Sequence, residues 1–152
     1  MGHYIKELFR DLLIMEIGKS WREQSPEVLH SISDLNDWYP WSWSRDERKL
    51  AGFRVGAGGH EGVSVYSLES KQFEKLTNFG LWPVWLSNSR RMLFQDLRSR
   101  LYLLNSRSKK VREILSVAPH ELGNGVTVSR YDRLIYLSLI TTEVDIWLMT
   151  LE

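Results

Sequence analysis

Trp43-Ser44-Arg45-Asp46-Glu47-Arg48-Lys49-Leu50 and Trp85-Leu86-Ser87-Asn88-Ser89-Arg90-Arg91-Met92 are two versions of one phrase, set forty-two residues apart. A weaker third version, Val128-Ser129-Arg130-Tyr131-Asp132-Arg133-Leu134-Ile135, follows after forty-three more. Each version joins an apolar strand, a polar turn and a second apolar strand. A repeat of this period marks a blade-by-blade architecture, because each unit has apolar faces that only its neighbours can cover.

Outward from these anchors the chain unrolls into short strands separated by turn residues. The first full copy reads as strands over Asp37 to Ser44, Lys49 to Val55, Val63 to Leu68 and Phe73 to Thr77, with Gly56 to Gly62 as a long glycine-rich hairpin loop. The second copy reads as Trp82 to Leu86, Arg91 to Gln95, Leu101 to Leu104 and Val111 to Ser116. The stretch from Val117 to Gly125 holds Pro119 and two glycines, which predicts irregular structure. The third copy supplies Val126 to Ser129, Arg133 to Leu139 and Asp145 to Leu151, and a fourth strand is missing. At the front, Asp11 to Ile17 matches Asp145 to Leu151 in residue type, and Glu27 to Ile32 then reads as a fourth strand. An amphipathic helix through Tyr4, Ile5, Leu8, Phe9, Leu12 and Leu13 is the competing reading. The expected organisation is an N-terminal segment 1–10, a half blade 11–36, full blades 37–80 and 81–123, and an incomplete blade 124–152.

Bulk composition agrees with an all-β domain. The 152 residues are 43% apolar, enough for a packed core, and seven Trp, six Tyr and five Phe suit a pleated surface. Twenty basic residues against nineteen acidic give a net charge of +1, without the basic excess of a phosphate-neutralising nucleic-acid binder. The absence of cysteine removes disulfides, thiolate catalysis and cysteine-ligated zinc. Lys6, Glu7, Arg10, Asp11 and Glu16 interrupt the N-terminal apolar residues, so no signal peptide or membrane span is expected and no compartment is indicated.

Pro83-Val84-Trp85-Leu86-Ser87-Asn88-Ser89-Arg90-Arg91-Met92-Leu93-Phe94 resembles the TolB-like (WD40-like) β-propeller repeat, whose pattern runs Pro-x-Trp-Ser-Pro-Asp-Gly-basic-basic-apolar-apolar-aromatic. Trp43-Ser44-x-Asp46 carries the same signature, Leu76-Thr77 looks like the family's fourth-strand Leu-Thr, and Asp145-Ile146-Trp147 like its third-strand opening. The chain departs where no copy keeps the turn proline, where Glu47, Ser89 and Asp132 replace the glycine, and where Leu86 replaces the serine. The resemblance implies an all-β partial propeller of about three four-stranded antiparallel blades. Rings usually need ~4–8 blades to close. The expected role is the C-terminal part of a larger bacterial propeller, or a short protein completed by self-association. In such repeats the Trp fills the wedge between blades and the Asp or Asn bonds turn N–H groups, so Trp43, Trp85, Asp46 and Asn88 are assigned to architecture.

No catalytic constellation is expected. There is no Gly-x-Ser-x-Gly elbow, the glycine-rich Gly56-Ala57-Gly58-Gly59 lacks the Lys-Ser/Thr of a phosphate cradle, and the four histidines lack metal-ligand spacing. No cofactor and no metal are expected. Arg90, Arg91, Arg98, Arg100, Arg107, Lys109, Lys110 and Arg112 form the one basic stretch, read either as a solvated outer edge or as a surface for an acidic partner.

Propeller geometry places the loops between second and third strands on the same face as the loops between blades. A binding surface is therefore expected from Asp37, Trp38, Tyr39, Arg54, His60, Glu61, Phe79, Trp82 and His120. Blade-to-blade packing is the alternative role for Trp38 and Trp82. The expected function is a non-catalytic binding or scaffold module for a protein partner or for the missing blades, with homo-oligomers possible and no nucleic-acid or membrane contact. The rival readings are the propeller that gates a prolyl-oligopeptidase-like serine peptidase, and the sensor domain of a kinase or winged-helix regulator.

Overall fold

The computed structural model describes residues 13–25, 27–29, 38–56 and 59–141. The chain divides into two compact units, Met1–Asp37 and Trp38–Glu152. In the first unit β1 (Leu13–Ile14) pairs antiparallel with β2 (Glu27–Val28), Leu13 opposite Val28. A single 3-10 turn, Trp21–Glu23, lies between them in sequence. The Glu23 carboxylate accepts hydrogen bonds from Ser20 N–H at 3.0 Å and Ser20 Oγ–H at 2.8 Å. Leu13 is therefore extended, and the rest of the competing helical stripe, residues 4–12, lies outside the described residues.

The second unit is built from consecutive antiparallel meanders. Blade one orders β3 (Trp38–Trp43), β4 (Lys49–Gly56), β5 (Gly59–Ser67) and β6 (Gln72–Lys75). Blade two orders β7 (Leu81–Trp85), β8 (Arg91–Gln95), β9 (Arg100–Asn105) and β10 (Val111–Ser116). A third sheet pairs β11 (Glu121–Val128) with β12 (Ile135–Ile140). First strands pack beside one another, β3 against β7 and β7 against β11. This is the partial propeller that the repeat implied. The further strand expected over Asp145 to Leu151 lies outside the described residues.

Two glycine-rich stretches read as loops are strands instead. β4 runs to Gly56 and β5 starts at Gly59, with Val55 opposite His60 and a register shift beside Arg54. Gly62, at φ +99, sits in that irregularity. A Cβ there would meet the Thr77 carbonyl and the backbone of Asn78 and Phe79, so glycine is what lets the strand lie against the crossing to blade two. In β11, Gly123 and Gly125 fall within the register shift between Leu122 and Val126. The other first strands bulge as well, between Pro40 and Ser42 and between Leu81 and Val84. Glycine that sequence patterning counts as a breaker is here absorbed by a bulge.

Blade two is apolar on both faces because side chains alternate along a strand. Met92, Phe94 and Leu104 face blade one, where they join Ala51, Val63, Val65 and Leu76. Leu93 and Leu101 face the third sheet and meet Leu122 and Val126. Burying each such side chain contributes about 1.5–3 kcal/mol. Trp85, 7% exposed, belongs to the first cluster and fills the wedge assigned to it. Trp43 is 43% exposed.

The polar turns are repeated in detail. Ser44 Oγ–H donates to Asp46 Oδ1 at 2.6 Å, and this bond above all holds the Asp46 carboxyl below its ordinary range. Asn88 Oδ1 accepts from Arg90 N–H at 3.0 Å and Arg91 N–H at 2.9 Å. Lys49 N–H donates to Ser44 Oγ, and Leu134 N–H to Ser129 Oγ. Leu86 has no hydroxyl for the equivalent bond, so Asn88 reaches Arg91 N–H in its place.

Glu47, Ser89 and Asp132, the three residues that replace the repeat's glycine, all have left-handed backbone at φ 59, 49 and 57. That conformation costs an L-residue about 1–2 kcal/mol. Two of the three put their side chains to use across a blade seam. Ser89 Oγ accepts from Asp46 N–H at 3.0 Å. The Asp132 carboxylate accepts from Ser87 N–H at 3.0 Å and from Ser87 Oγ–H at 2.6 Å. Glu47 makes no such bond among the described residues. Glu47→Gly is therefore expected to stabilise the chain by about 0.5–1 kcal/mol, the relieved strain less the added freedom of the unfolded glycine. Asp132→Gly is expected to destabilise it by about 1 kcal/mol, because loss of the charged seam bonds outweighs the relief. Urea midpoints at unchanged m-value check both signs.

Candidate functional site

One end of the blades carries the β4–β5 and β8–β9 turns together with the crossings between blades. A cleft of about 690 Å³ opens there, with His60 on blade one, the crossing residues Phe79, Gly80 and Leu81, and the β8–β9 turn from Asp96 to Arg100. Ligand sites commonly fall in this range of size.

The cleft walls are held from behind. Thr77 Oγ1 accepts from Val63 N–H at 2.9 Å and donates to the Phe79 carbonyl at 2.6 Å, which ties the crossing to β5. The Phe79 ring then stands edge-on to Phe94 and Tyr102, at 5.4 and 5.2 Å between centroids. Opposite it, Asp96 Oδ1 accepts from the N–H groups of Arg98, Ser99 and Arg100, each at 3.0 Å, which closes the turn around one carboxylate oxygen. The turn presents Leu97, 60% exposed, and Arg98 beside it. Arg100 turns to Glu113 at 3.6 Å, and Arg98 makes no ion pair among the described residues.

The result is an apolar floor with a cationic rim on a rigid turn. Ser99, His60 and Asp96 share the cleft, yet among the described residues no hydrogen bond links His60 to either of the others, and Asp96 Oδ1 is taken by the turn. Among the described residues no group of three or more acidic or histidine side chains could hold a metal ion. No helix there is long and apolar enough to cross a membrane.

Of the residues expected at a binding surface, His60 and Phe79 come together in this cleft. The rest are placed elsewhere, apart from Asp37, which lies outside the described residues. Trp38, 6% exposed, meets Phe73 of its own blade edge-on at 5.1 Å, and the Arg54 guanidinium lies 5.6 Å from the same ring. Tyr39 stacks on Phe53 at 5.4 Å. Trp82 lies against Phe53 and Trp41 at 6.2 and 6.4 Å, bridging blades one and two. Glu61 is exposed beside Gly56, and His120 is exposed in the crossing from β10 to β11, its N–H bonded to the Val117 carbonyl at 3.0 Å. Leu97 was missing from the expected set. Its signal was the Asp96-x-Arg98-Ser99 pattern of a short turn between two apolar strands.

Compared by sequence, the chain matches no protein-family model and no curated protein. Compared by structure, it is similar to a protein described as TolB from Agrobacterium tumefaciens, at TM-score 0.54 and 14% identity over 64% of this chain and 35% of that one. The fold is that of a TolB-like propeller. TolB from Acinetobacter baumannii aligns at TM-score 0.52 and 18% identity over 66% of this chain and 26% of that one. An oligogalacturonate lyase from Vibrio parahaemolyticus aligns at TM-score 0.53 and 15% identity over 63% of this chain and 26% of that one. The chain thus matches between about a quarter and a third of the length of these TolB-like structures.

Gly80 supplies the closest fit in the cleft wall. Its φ is +92, and a Cβ at this position would enter the Phe94 ring. Gly80→Ala is expected to cost about 2–4 kcal/mol, combining left-handed strain with displacement of a buried ring. Chemical denaturation measures the loss, and a cost under about 0.5 kcal/mol would show that the crossing can move away from Phe94.

Proposed function

We propose that the chain is a non-catalytic recognition module, a set of TolB-like blades that presents the β8–β9 turn and the Phe79 crossing to a protein partner. The observation that carries this reading is the exposure of Leu97 and Arg98 side by side on the β8–β9 turn. The repeat's tryptophans, serines and aspartates mostly serve cores, turns and seams, whereas these two are exposed on a turn locked by Asp96. Exposed apolar groups beside a cation that has no ion pair among the described residues, on a rigid scaffold, favour an acidic segment with an aliphatic or aromatic anchor.

The module is proposed to extend into further blades. β12 leaves Tyr136, Leu139 and Ile140 between 48% and 59% exposed, with Leu134 at 58% just before it. Apolar strand faces of this kind are covered by the next sheet in a blade stack. A further blade of the same protein or the matching face of a second copy would both serve.

Two measurements test these readings. A displayed library of random peptides selected on the full chain is expected to yield acidic sequences with an apolar anchor, binding at least tenfold more weakly to Phe79→Ala and Arg98→Glu. Equal enrichment on the double variant, or turnover of oligogalacturonate by the wild-type chain, would overturn the recognition role. In sedimentation, the 152-residue chain is expected to associate as concentration rises and Tyr136→Glu to weaken that association. A wild-type monomer at high concentration counts against an open β12 face.

A further inference from the structure

The opposite end of the blades carries the β3–β4, β5–β6, β7–β8 and β9–β10 turns, and these converge on a second cavity of about 530 Å³ at the seam between blades one and two. Arg45, Arg48, Lys49, Arg90 and Arg107 line it, against the carboxylates of Asp46 and Glu69. The whole chain carries a net charge of only +1, whereas five basic residues and two acidic ones line this cavity. Among the described residues none of the five cations is ion-paired, while Lys109 and Arg100, close in sequence, are paired to Glu74 and Glu113.

The next seam shows what this one lacks. Between blade two and the third sheet, the Asp132 carboxylate accepts the N–H and Oγ–H of Ser87. Forty-two or forty-three residues earlier in the repeat, Ser89 stands in the position of Asp132 and Arg45 in the position of Ser87. The donor side of the first seam has become a guanidinium, and the acceptor side has lost its carboxylate. The hydroxyl that replaces it already accepts from Asp46 N–H. Glu69 and Asp46 cannot balance five cations, and Asp46 is itself bonded to Ser44 and Arg48 N–H.

We propose that this seam binds a small multivalent oxyanion, a molecule whose carboxylate or phosphate groups take the place that Asp132 fills one blade later. Arg45 comes from the β3–β4 turn, Arg90 from the β7–β8 turn and Arg107 from the β9–β10 turn, which brings guanidinium forks suited to oxyanion groups to one cavity. The walls are fixed in advance: Ser106 N–H and Oγ–H both donate to the Arg90 carbonyl at 2.8 and 2.9 Å, and Leu68 N–H donates to the Arg48 carbonyl at 3.0 Å. Bound anion would join blades one and two.

Calorimetry on the full chain, titrated with citrate and with pyrophosphate at constant ionic strength, tests the proposal. One-to-one saturable binding is expected for at least one of them, and which of the two binds more tightly tells carboxylate from phosphate recognition. Arg90→Gln with Arg107→Gln should weaken it at least tenfold, while Lys110→Gln with Arg112→Gln, which removes an equal charge outside the cavity, should not. Ser89→Asp, which supplies the missing carboxylate internally, should abolish binding and raise the melting temperature of the anion-free protein. Absence of saturable heat for both anions, or binding that survives the double substitution, would overturn the proposal.

Discussion

A sheet with apolar side chains on both faces is not stable in water on its own, and blade two is such a sheet. Met92 and Phe94 point one way and Leu93 and Leu101 the other, all 3% exposed or less. Everything around it follows from covering both faces: blade one supplies Ala51, Val63 and Val65, and the third sheet supplies Leu122 and Val126. The polar element of this packing is Gln95, 1% exposed, whose Nε2 donates to the Gly123 carbonyl at 2.8 Å and pins the bulge of β11 to blade two. Ser42 does the same at the other seam, donating to the Pro83 carbonyl at 2.6 Å and accepting from Trp85 N–H at 3.3 Å. The seams at the first strands are thus fastened by hydrogen bonds that are buried at Gln95 and part-buried at Ser42. Outer strands rely on exposed ion pairs such as Lys109–Glu74 at 3.0 Å, worth roughly 0–1 kcal/mol.

This division of labour separates the two ends of the blades. At one end, crossings and β-turns meet in a cleft whose floor is aromatic and aliphatic and whose rim carries Arg98 and Arg100. At the other, hairpin turns bring charged side chains together, because the turns of both full blades carry basic residues, Arg45 and Arg48 in one and Arg90 and Arg107 in the other. Any ligand chemistry of the chain is therefore polar at one end and amphipathic at the other.

Much of the fold was legible in the sequence because the repeat states it three times. The Trp-led strands, the Asp46 and Asn88 turns and the alternation of β8 all lie near their expected places. The failures have common causes. Gly59 to Gly62 and Gly123 to Gly125 were read as loops because local propensity counts glycine as a breaker, whereas a close backbone neighbour or a bulge makes it a strand residue. The site was far less legible. His60 and Phe79 share a cleft, but Trp38, Tyr39 and Trp82 went to aromatic packing, since a large flat side chain gains more from neighbouring rings than from solvent. Which blade seam holds a carboxylate depends on residues more than forty positions apart, and no local pattern reports that pairing.

The seam bonds run in one direction, with the later turn offering the acceptor and the earlier turn the N–H. They also differ in chemistry: a hydroxyl meets Asp46, and a carboxylate meets Ser87. A string of otherwise similar modules therefore carries an address at each junction. Shuffling the blades or duplicating one would mismatch these junctions as well as the cores that neighbouring blades share. Regularising the turns to glycine would remove those addresses and leave only the shared cores and the Ser42 and Gln95 bonds to match neighbours. At Ser89 and Asp132 the departures from the repeat's consensus add a polar match to the apolar one at each seam.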